Sequence, residues 1–106
     1  MELEKDIEKY LTRQIKLIGG LCYKFTSPGV RGVPDRIVLH RGNVFFVEVK
    51  RPGGKPRKDQ LKIIEKFNNQ LIPVFVIDTK EKVDTLIYAM KKGIARLMPS
   101  ISGEKE

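Results

Sequence analysis

The amino-acid sequence predicts one α/β domain in which helices flank a mixed central β-sheet, with the element order α-β-β-β-α-β-α. Three observations predict this fold. Apolar residues recur at helical spacing in three separate segments. Two apolar, β-branched runs flank a short Arg-Gly-Asn sequence, which is typical of a β-hairpin. A further apolar run follows the second helical segment, and strands joined by a helix usually pair in parallel.

The N-terminal part of the chain is predicted to form one helix and one strand. The helix is predicted over Leu3 to Ile18, where apolar residues recur every three or four positions until Gly19-Gly20 ends the pattern. The run Leu21–Phe25 is predicted to form a short strand. Thr26–Pro34 is predicted to be a loop because it contains two prolines and two glycines.

The hairpin is predicted to consist of Asp35–His40 and Val44–Lys50, which are rich in Ile, Val and Phe, with Arg41–Asn43 as its turn. The segment that follows, Arg51–Lys58, is basic and contains several glycines and prolines. We therefore expect it to be a basic loop.

The C-terminal part is predicted to add a helix, a strand and a second helix. Asp59–Asn69 has helical spacing, and the apolar run Ile72–Asp78 indicates a buried strand. Thr79 is predicted to cap the last helix, Lys80–Lys92, and Gly93 to end it.

Length and composition exclude several classes of protein. The 106 residues fit one small domain, which we assign to residues 1–93, and residues 94–106 are expected to form a partly flexible C-terminal extension. A single Cys22 excludes an internal disulfide framework, and with a single His40 it cannot build a Cys/His zinc site. No apolar run is long enough for a membrane helix and the N-terminus does not resemble a secretory signal, so a cytoplasmic location is expected.

The charge balance favours a polyanionic partner. The chain has 21 Lys and Arg residues against 13 Asp and Glu residues, a formal net charge of +8. Nucleic acid is the most frequent partner of such a surface. The alternative is a basic protein that has no such partner.

An acid and a base interrupt the end of the second hairpin strand. Strand side chains alternate between faces, so Glu48 and Lys50 share one face of the sheet. A two-residue turn at Arg41-Gly42 would place Asp35 opposite Glu48, and a turn at Gly42-Asn43 would place it opposite Lys50. Either register puts the three side chains on one face, whereas a three-residue loop would not.

Two neighbouring carboxylates repel each other, so something must compensate for their charge. A hard divalent cation such as Mg²⁺ or Mn²⁺ would do so, and the alternative is a plain Asp–Lys–Glu salt-bridge cluster. Placing acids in strands of Ile, Val and Phe is costly, which favours the metal site. Glu4 of the first helix lies on the apolar stripe and is a third candidate acid, or alternatively a solvated first-turn acid that favours the helix dipole, and helix position alone does not decide between the two. Glu8 is expected to face water.

Residues 32–60, GVPDRIVLHRGNVFFVEVKRPGGKPRKDQ, resemble the VRR-NUC branch of the PD-(D/E)XK nuclease superfamily. The superfamily pattern is an Asp, a spacer and Glu-x-Lys, which here is Asp35, twelve residues and Glu48-Val49-Lys50, followed by Gln60. The resemblance runs from Glu4 to about Gly93. It implies a restriction-endonuclease-like core and a stand-alone nuclease domain of the phage type, similar in fold to Holliday junction resolvases, and located in the host cytoplasm if a phage encodes it.

The resemblance also implies roles for individual residues. Asp35 and Glu48 would bind Mg²⁺ or Mn²⁺ with the Val49 carbonyl, and Lys50 would orient or activate the attacking water. Glu4 would match the acid of the family's first helix and assist a metal ion, and Gln60 would support the active site. No nucleotide cofactor is implied.

The expected activity is metal-dependent endonucleolytic cleavage of DNA, selective for branched or junction-like structures. Seven basic residues near the site are candidates for phosphate contacts: Lys24, Arg31, Arg36, Arg51, Lys55, Arg57 and Lys58. A homodimer is expected, because two strands need two sites and the segments NVFF and LIYAM have surplus apolar residues. The alternatives are a non-catalytic nucleic-acid-binding module on the same fold and a protein-interaction domain with a basic face.

Overall fold

A computed structural model of the chain describes residues 2–97, and its elements follow the predicted order. The elements are α1 (Glu4–Leu17), β1 (Leu21–Lys24), β2 (Arg36–His40), β3 (Asn43–Val49), α2 (Lys58–Asn69), β4 (Val74–Ile77), α3 (Lys80–Lys92) and a short 3₁₀ helix (Ala95–Leu97). The predicted α/β fold with a mixed sheet flanked by helices is confirmed.

The last helix has the bounds that its capping residues predict. The Thr79 hydroxyl accepts a hydrogen bond from the Lys82 backbone N–H at 3.1 Å, and Gly93 ends α3 in the left-handed region at φ 74°. The chain remains packed beyond this point, since Ala95 is buried against the core. Residues 98–106 of the predicted extension lie outside the described residues, so the division at residue 93 stays a prediction.

The four strands form one sheet in the order β1-β2-β3-β4. β1 pairs with β2 and β2 with β3 in antiparallel orientation, while β3 pairs with β4 in parallel. The parallel pair follows from the connection, because α2 carries the chain back across the sheet before β4 begins.

The hairpin turn decides between the two predicted registers. Arg41 and Gly42 have positive φ angles of 49° and 80°, and His40 pairs with Asn43. Two successive positive φ values are typical of the type I′ turn that joins antiparallel strands. The ladder therefore places Asp35 next to Glu48, and the register that sets Asp35 opposite Lys50 is wrong.

Two apolar clusters cover the two faces of the sheet. α1 and α3 pack on one face, where Ile7, Leu11 and Ile15 of α1 are fully buried against Phe45 and other core residues. Burying a side chain of this size contributes about 1.5–3 kcal/mol. α2 packs on the opposite face, so side chains in phase with Phe46 on β3 point toward α2.

The face beneath α2 is held by aromatic contacts. Phe46 packs edge-to-face on Phe25 and on Phe67, with ring centroids 5.0 Å and 4.9 Å apart. Such pairs contribute about 0.5–1.5 kcal/mol beyond the area they bury. The contacts fix α2 and the start of the Thr26–Pro34 loop against the strand that carries Glu48.

The Thr26–Pro34 loop docks closely on the first turn of α2. A Cβ atom at Gly32 would lie 2.8 Å from the Asp59 carbonyl oxygen and 3.2 Å from the Gln60 nitrogen, and Gly32 has a φ of +92°. Only glycine combines this conformation with so close an approach. The loop before Asp35 is therefore fixed relative to α2.

Within residues 2–97 we find no helix with the length and apolarity that crossing a membrane requires.

Candidate active site

Asp35 lies directly before β2, beside the end of β3. Its carboxylate accepts a hydrogen bond from the Val49 backbone N–H at 3.1 Å. Burial raises the pKa of this carboxyl, and the nearby charge of Glu8 raises it further, whereas the Val49 hydrogen bond and the charges of Lys50 and Arg36 oppose the rise. Asp35 is thus held in place with one side facing Glu48.

Glu48 is the most buried acid of the group, with 3% of its surface exposed. Its Oε2 accepts a hydrogen bond from the Gln60 side-chain amide at 2.6 Å. Its Oε1 is buried and has no hydrogen-bond partner among the described residues. Burial and the adjacent Asp35 charge raise the pKa of Glu48 to about 7, although Lys50 and Gln60 favour the ionised form.

Lys50 and Gln60 complete the group. The Lys50 Nζ donates to Gln60 Oε1 at 2.9 Å and lies 3.3 Å from Glu48 Oε2. Gln60 Oε1 also accepts from the Arg57 backbone N–H at 2.8 Å. Gln60 therefore presents its oxygen to two donors and its amide to the carboxylate, and so holds Lys50 and Glu48 at a fixed separation.

The carboxylates fit a hard divalent cation. An unpartnered buried oxygen on Glu48 beside the Asp35 carboxylate is costly unless a positive charge lies there. The described residues contain no cluster of three His, Cys, Asp or Glu side chains suited to a metal. An ion held by two carboxylates and a backbone carbonyl would keep several waters, which is the usual coordination of Mg²⁺.

The acid of α1 that approaches this site is Glu8, although its helical phase predicted that it would face water. The Glu8 carboxylate is 2.9 Å from the Arg36 guanidinium and raises the pKa of Asp35. Glu4 is exposed at the first residue of α1, as expected for a solvated first-turn acid, and its role at the site stays a prediction. Helical phase gives the direction of a side chain but not its position along the axis, and one helical turn separates the two acids.

The predicted phosphate-binding residues differ in availability. Arg36 is paired with Glu8 and its side chain is 18% exposed, so its guanidinium is not presented to a ligand. The other six side chains are exposed around the site: Lys24, Arg31, Arg51, Lys55, Arg57 and Lys58. The basic loop is anchored at its tip, because the Gly53 backbone N–H donates to Asp78 at 3.0 Å.

No family model matches the chain. A solved structure described as "VRR_NUC domain" is 38% identical, with a TM-score of 0.76 over 80% of this chain and 94% of that one. A curated protein, "Putative nuclease p44" of Acyrthosiphon pisum secondary endosymbiont phage 1, is 55% identical over 60 residues. This match covers 56% of the chain and 64% of the curated relative, so the chain spans less than two thirds of that protein.

Proposed function

The chain belongs to the VRR-NUC family, and from this premise we propose that it is a metal-dependent DNA endonuclease. Its active site would consist of Asp35, Glu48, Lys50 and Gln60. The observation that carries the proposal is the buried, unpartnered Glu48 Oε1 beside the Asp35 carboxylate, with an ammonium 3.3 Å from the other oxygen of Glu48. A salt-bridge cluster with only a structural role would not require a buried carboxylate oxygen without a partner.

Each residue has a task in phosphodiester hydrolysis. Asp35 and Glu48, with the Val49 carbonyl, would hold Mg²⁺ or Mn²⁺. When bound, such an ion supplies a Lewis acid that neutralises phosphate charge and lowers the pKa of a coordinated water. The Lys50 ammonium would donate hydrogen bonds to the attacking water and to the phosphate oxygen on which negative charge develops. Gln60 keeps that ammonium in place, so little reorganisation is needed during the reaction.

The substrate proposed is branched or junction-like DNA, bound through its backbone. The net charge of +8 and the exposed lysines and arginines around the site support phosphate contacts. Contacts to phosphates position a protein without reading base sequence, which favours recognition of DNA shape. Symmetric cleavage of two strands would need a second site, which a homodimer supplies.

Less apolar surface is exposed for a homodimer interface than the segments NVFF and LIYAM indicate. In NVFF both phenylalanines are buried and Val44 is 39% exposed, and in LIYAM the exposed side chain is Tyr88, at 61%. These residues lie on separate elements, so neither segment forms an apolar patch by itself. The mass measured by light scattering tests the dimer alongside the cleavage assay.

The first expected result is divalent-dependent cleavage. Junction, flap, nicked and linear DNAs are incubated with Mg²⁺, Mn²⁺ or EDTA, and products are resolved on denaturing gels. We expect cleavage of junction and flap DNA with either ion and none in EDTA. Asp35→Ala is expected to abolish cleavage while retaining the fold, because it removes one of two repelling carboxylates.

A wild-type protein that binds these DNAs but cleaves none of them with either ion would contradict the proposed activity. It would favour the non-catalytic binding module instead. Equal cleavage of all four DNAs would contradict the proposed selectivity but leave the nuclease activity in place.

The two acids of α1 are expected to differ in importance. Glu8→Gln removes the Arg36 ion pair and one charge beside Asp35, so we expect the cleavage rate to fall by about 10- to 100-fold. Glu4→Gln removes an exposed charge at the helix end and is expected to change the rate less than about twofold. Single-turnover rates of the two variants check this order, and a larger loss in Glu4→Gln would contradict it.

A further inference from the structure

Asp59, in the first turn of α2, joins two arginines that come from different loops. Its Oδ2 accepts a hydrogen bond from Arg31 Nε at 3.1 Å, and its Oδ1 accepts one from Arg57 Nε at 3.2 Å. The Gln60 backbone N–H also donates to Oδ1, at 3.0 Å. The carboxylate is therefore fixed by the helix and fixes one guanidinium with each oxygen.

Both arginines use the same part of the guanidinium. A guanidinium carries five N–H donors in a rigid planar fork, and the Nε–H is the one nearest the chain. When Nε is held by Asp59, the orientation of the terminal nitrogens is set. The side chains of Arg31 and Arg57 are 85% and 57% exposed, so these terminal donors face solvent.

The two arginines are also fixed relative to the candidate active site. Arg31 precedes Gly32, which packs against the backbone of Asp59 and Gln60, and its loop ends at Asp35. The Arg57 backbone N–H donates to Gln60 Oε1, the atom that binds Lys50. A ligand held between the two guanidiniums would thus be bound at the entrance to the site.

We propose that Asp59 is a positioning residue that aligns Arg31 and Arg57 as a clamp on one phosphate of the DNA backbone. The proposal rests on the proposed function and names one phosphate subsite for it. Paired guanidiniums match the oxygens of a phosphodiester, and the N-terminus of α2 adds a favourable dipole.

The clamp and simple charge attraction predict opposite effects of removing Asp59 on DNA affinity. If Asp59 were an ordinary surface acid, its removal would make the protein more basic and strengthen DNA binding. If Asp59 aligns the arginines, its removal weakens DNA binding although the net charge becomes more positive. Binding then also has to order two long side chains, which costs conformational entropy.

The test compares Asp59→Asn with Glu65→Gln, which removes the same charge from an exposed position on the same helix. Binding of a fluorescent linear duplex is measured by anisotropy in EDTA, over a series of salt concentrations. We expect about tenfold weaker binding for Asp59→Asn and unchanged or slightly tighter binding for Glu65→Gln. Arg31→Lys keeps the charge but loses the fork, so it is expected to weaken binding as Asp59→Asn does.

Thermal melts monitored by circular dichroism establish that each variant is folded. Duplex binding by Asp59→Asn that equals or exceeds that of the wild type would overturn the clamp while leaving the nuclease proposal intact. Full retention of affinity by Arg31→Lys would also overturn it. A wild-type protein that binds neither this duplex nor junction DNA would instead refute DNA as the substrate, and the clamp with it.

Discussion

Replacing Lys50 with methionine is expected to lower the cleavage rate by roughly 10²–10³-fold, the usual effect of removing one donor to a developing charge. Methionine retains most of the apolar stem and removes the ammonium. That ammonium is placed by Gln60 Oε1 and Glu48 Oε2, at 2.9 Å and 3.3 Å. Single-turnover cleavage of junction DNA at saturating Mg²⁺ measures the loss.

The same substitution is expected to have a modest effect on stability. Breaking a buried ion pair usually costs about 3–5 kcal/mol because an uncompensated charge remains. Here Glu48 can take up a proton at neutral pH, since its pKa is about 7. We therefore expect the free energy of unfolding to fall by about 1–2 kcal/mol, as measured by urea denaturation.

A matched control separates catalysis from charge. Lys91→Met removes the same charge from an exposed position on α3, which packs on the face of the sheet opposite Glu48. It is expected to retain the wild-type rate within about twofold. A Lys50→Met protein that cleaves as fast as Lys91→Met would show that the ammonium has no part in the reaction.

Patterns among residues that are close in sequence predict how Asp35, Glu48 and Lys50 are placed in this site. Alternation along a strand places Glu48 and Lys50 on one face, and either two-residue turn within Arg41–Asn43 puts Asp35 on that face. The positive φ angles at Arg41 and Gly42 in the structure then select the register that brings Asp35 beside Glu48. Both rules concern residues that are close in sequence. The acid pair, its base and the strand ends on which they lie could for this reason be predicted before any coordinates.

Contacts between distant segments could not be predicted in the same way. The Glu8–Arg36 and Arg31–Asp59 pairs each join residues 28 positions apart, and the sequence contains many alternative partners of the same charge. Glu4 follows the apolar stripe in direction but is exposed at the first residue of α1, so its role at the site stays a prediction. For Glu8 a signal was available, since it lies three and seven residues before the buried Leu11 and Ile15.

Gln60 is a neutral residue that connects the local acid group with contacts between distant segments. It follows Asp59, which orders the loops, and it contacts Lys50 and Glu48 within the acid group. Its burial at 5% exposure forces its amide to be fully paired, and the available partners are these site residues. The first turn of α2 thus links the surface arginines to the buried carboxylates.

Replacing Glu48 with glutamine is expected to reduce cleavage by about a thousandfold or more and to make the metal-free protein more stable above pH 7. The activity falls because the amide cannot serve as an anionic ligand. The stability rises because glutamine has nearly the same shape, can still accept the hydrogen bond from Gln60, and removes a charge that is buried beside Asp35.

The pH dependence of stability gives this prediction its sign. The pKa of Glu48 is about 7 in the folded protein against an ordinary value of 4.5, so the folded state binds the proton more tightly than the unfolded state. Below pH 4.5 the carboxyl is neutral in both states and costs nothing. As the pH rises from 4.5 through 7, this group progressively destabilises the metal-free wild type, by at most about 3 kcal/mol.

Urea denaturation of both proteins between pH 4 and 9, with EDTA or with Mg²⁺, measures the effect. We expect the advantage of Glu48→Gln to grow across this window in EDTA, and Mg²⁺ to stabilise the wild type but not the variant, because a ligand stabilises only the state that binds it. Glu65→Gln, which alters an exposed acid on α2, is expected to follow the wild type at every pH. If Mg²⁺ stabilised Glu48→Gln as much as the wild type, Glu48 would not be a metal ligand, because the ion would gain nothing from its charge.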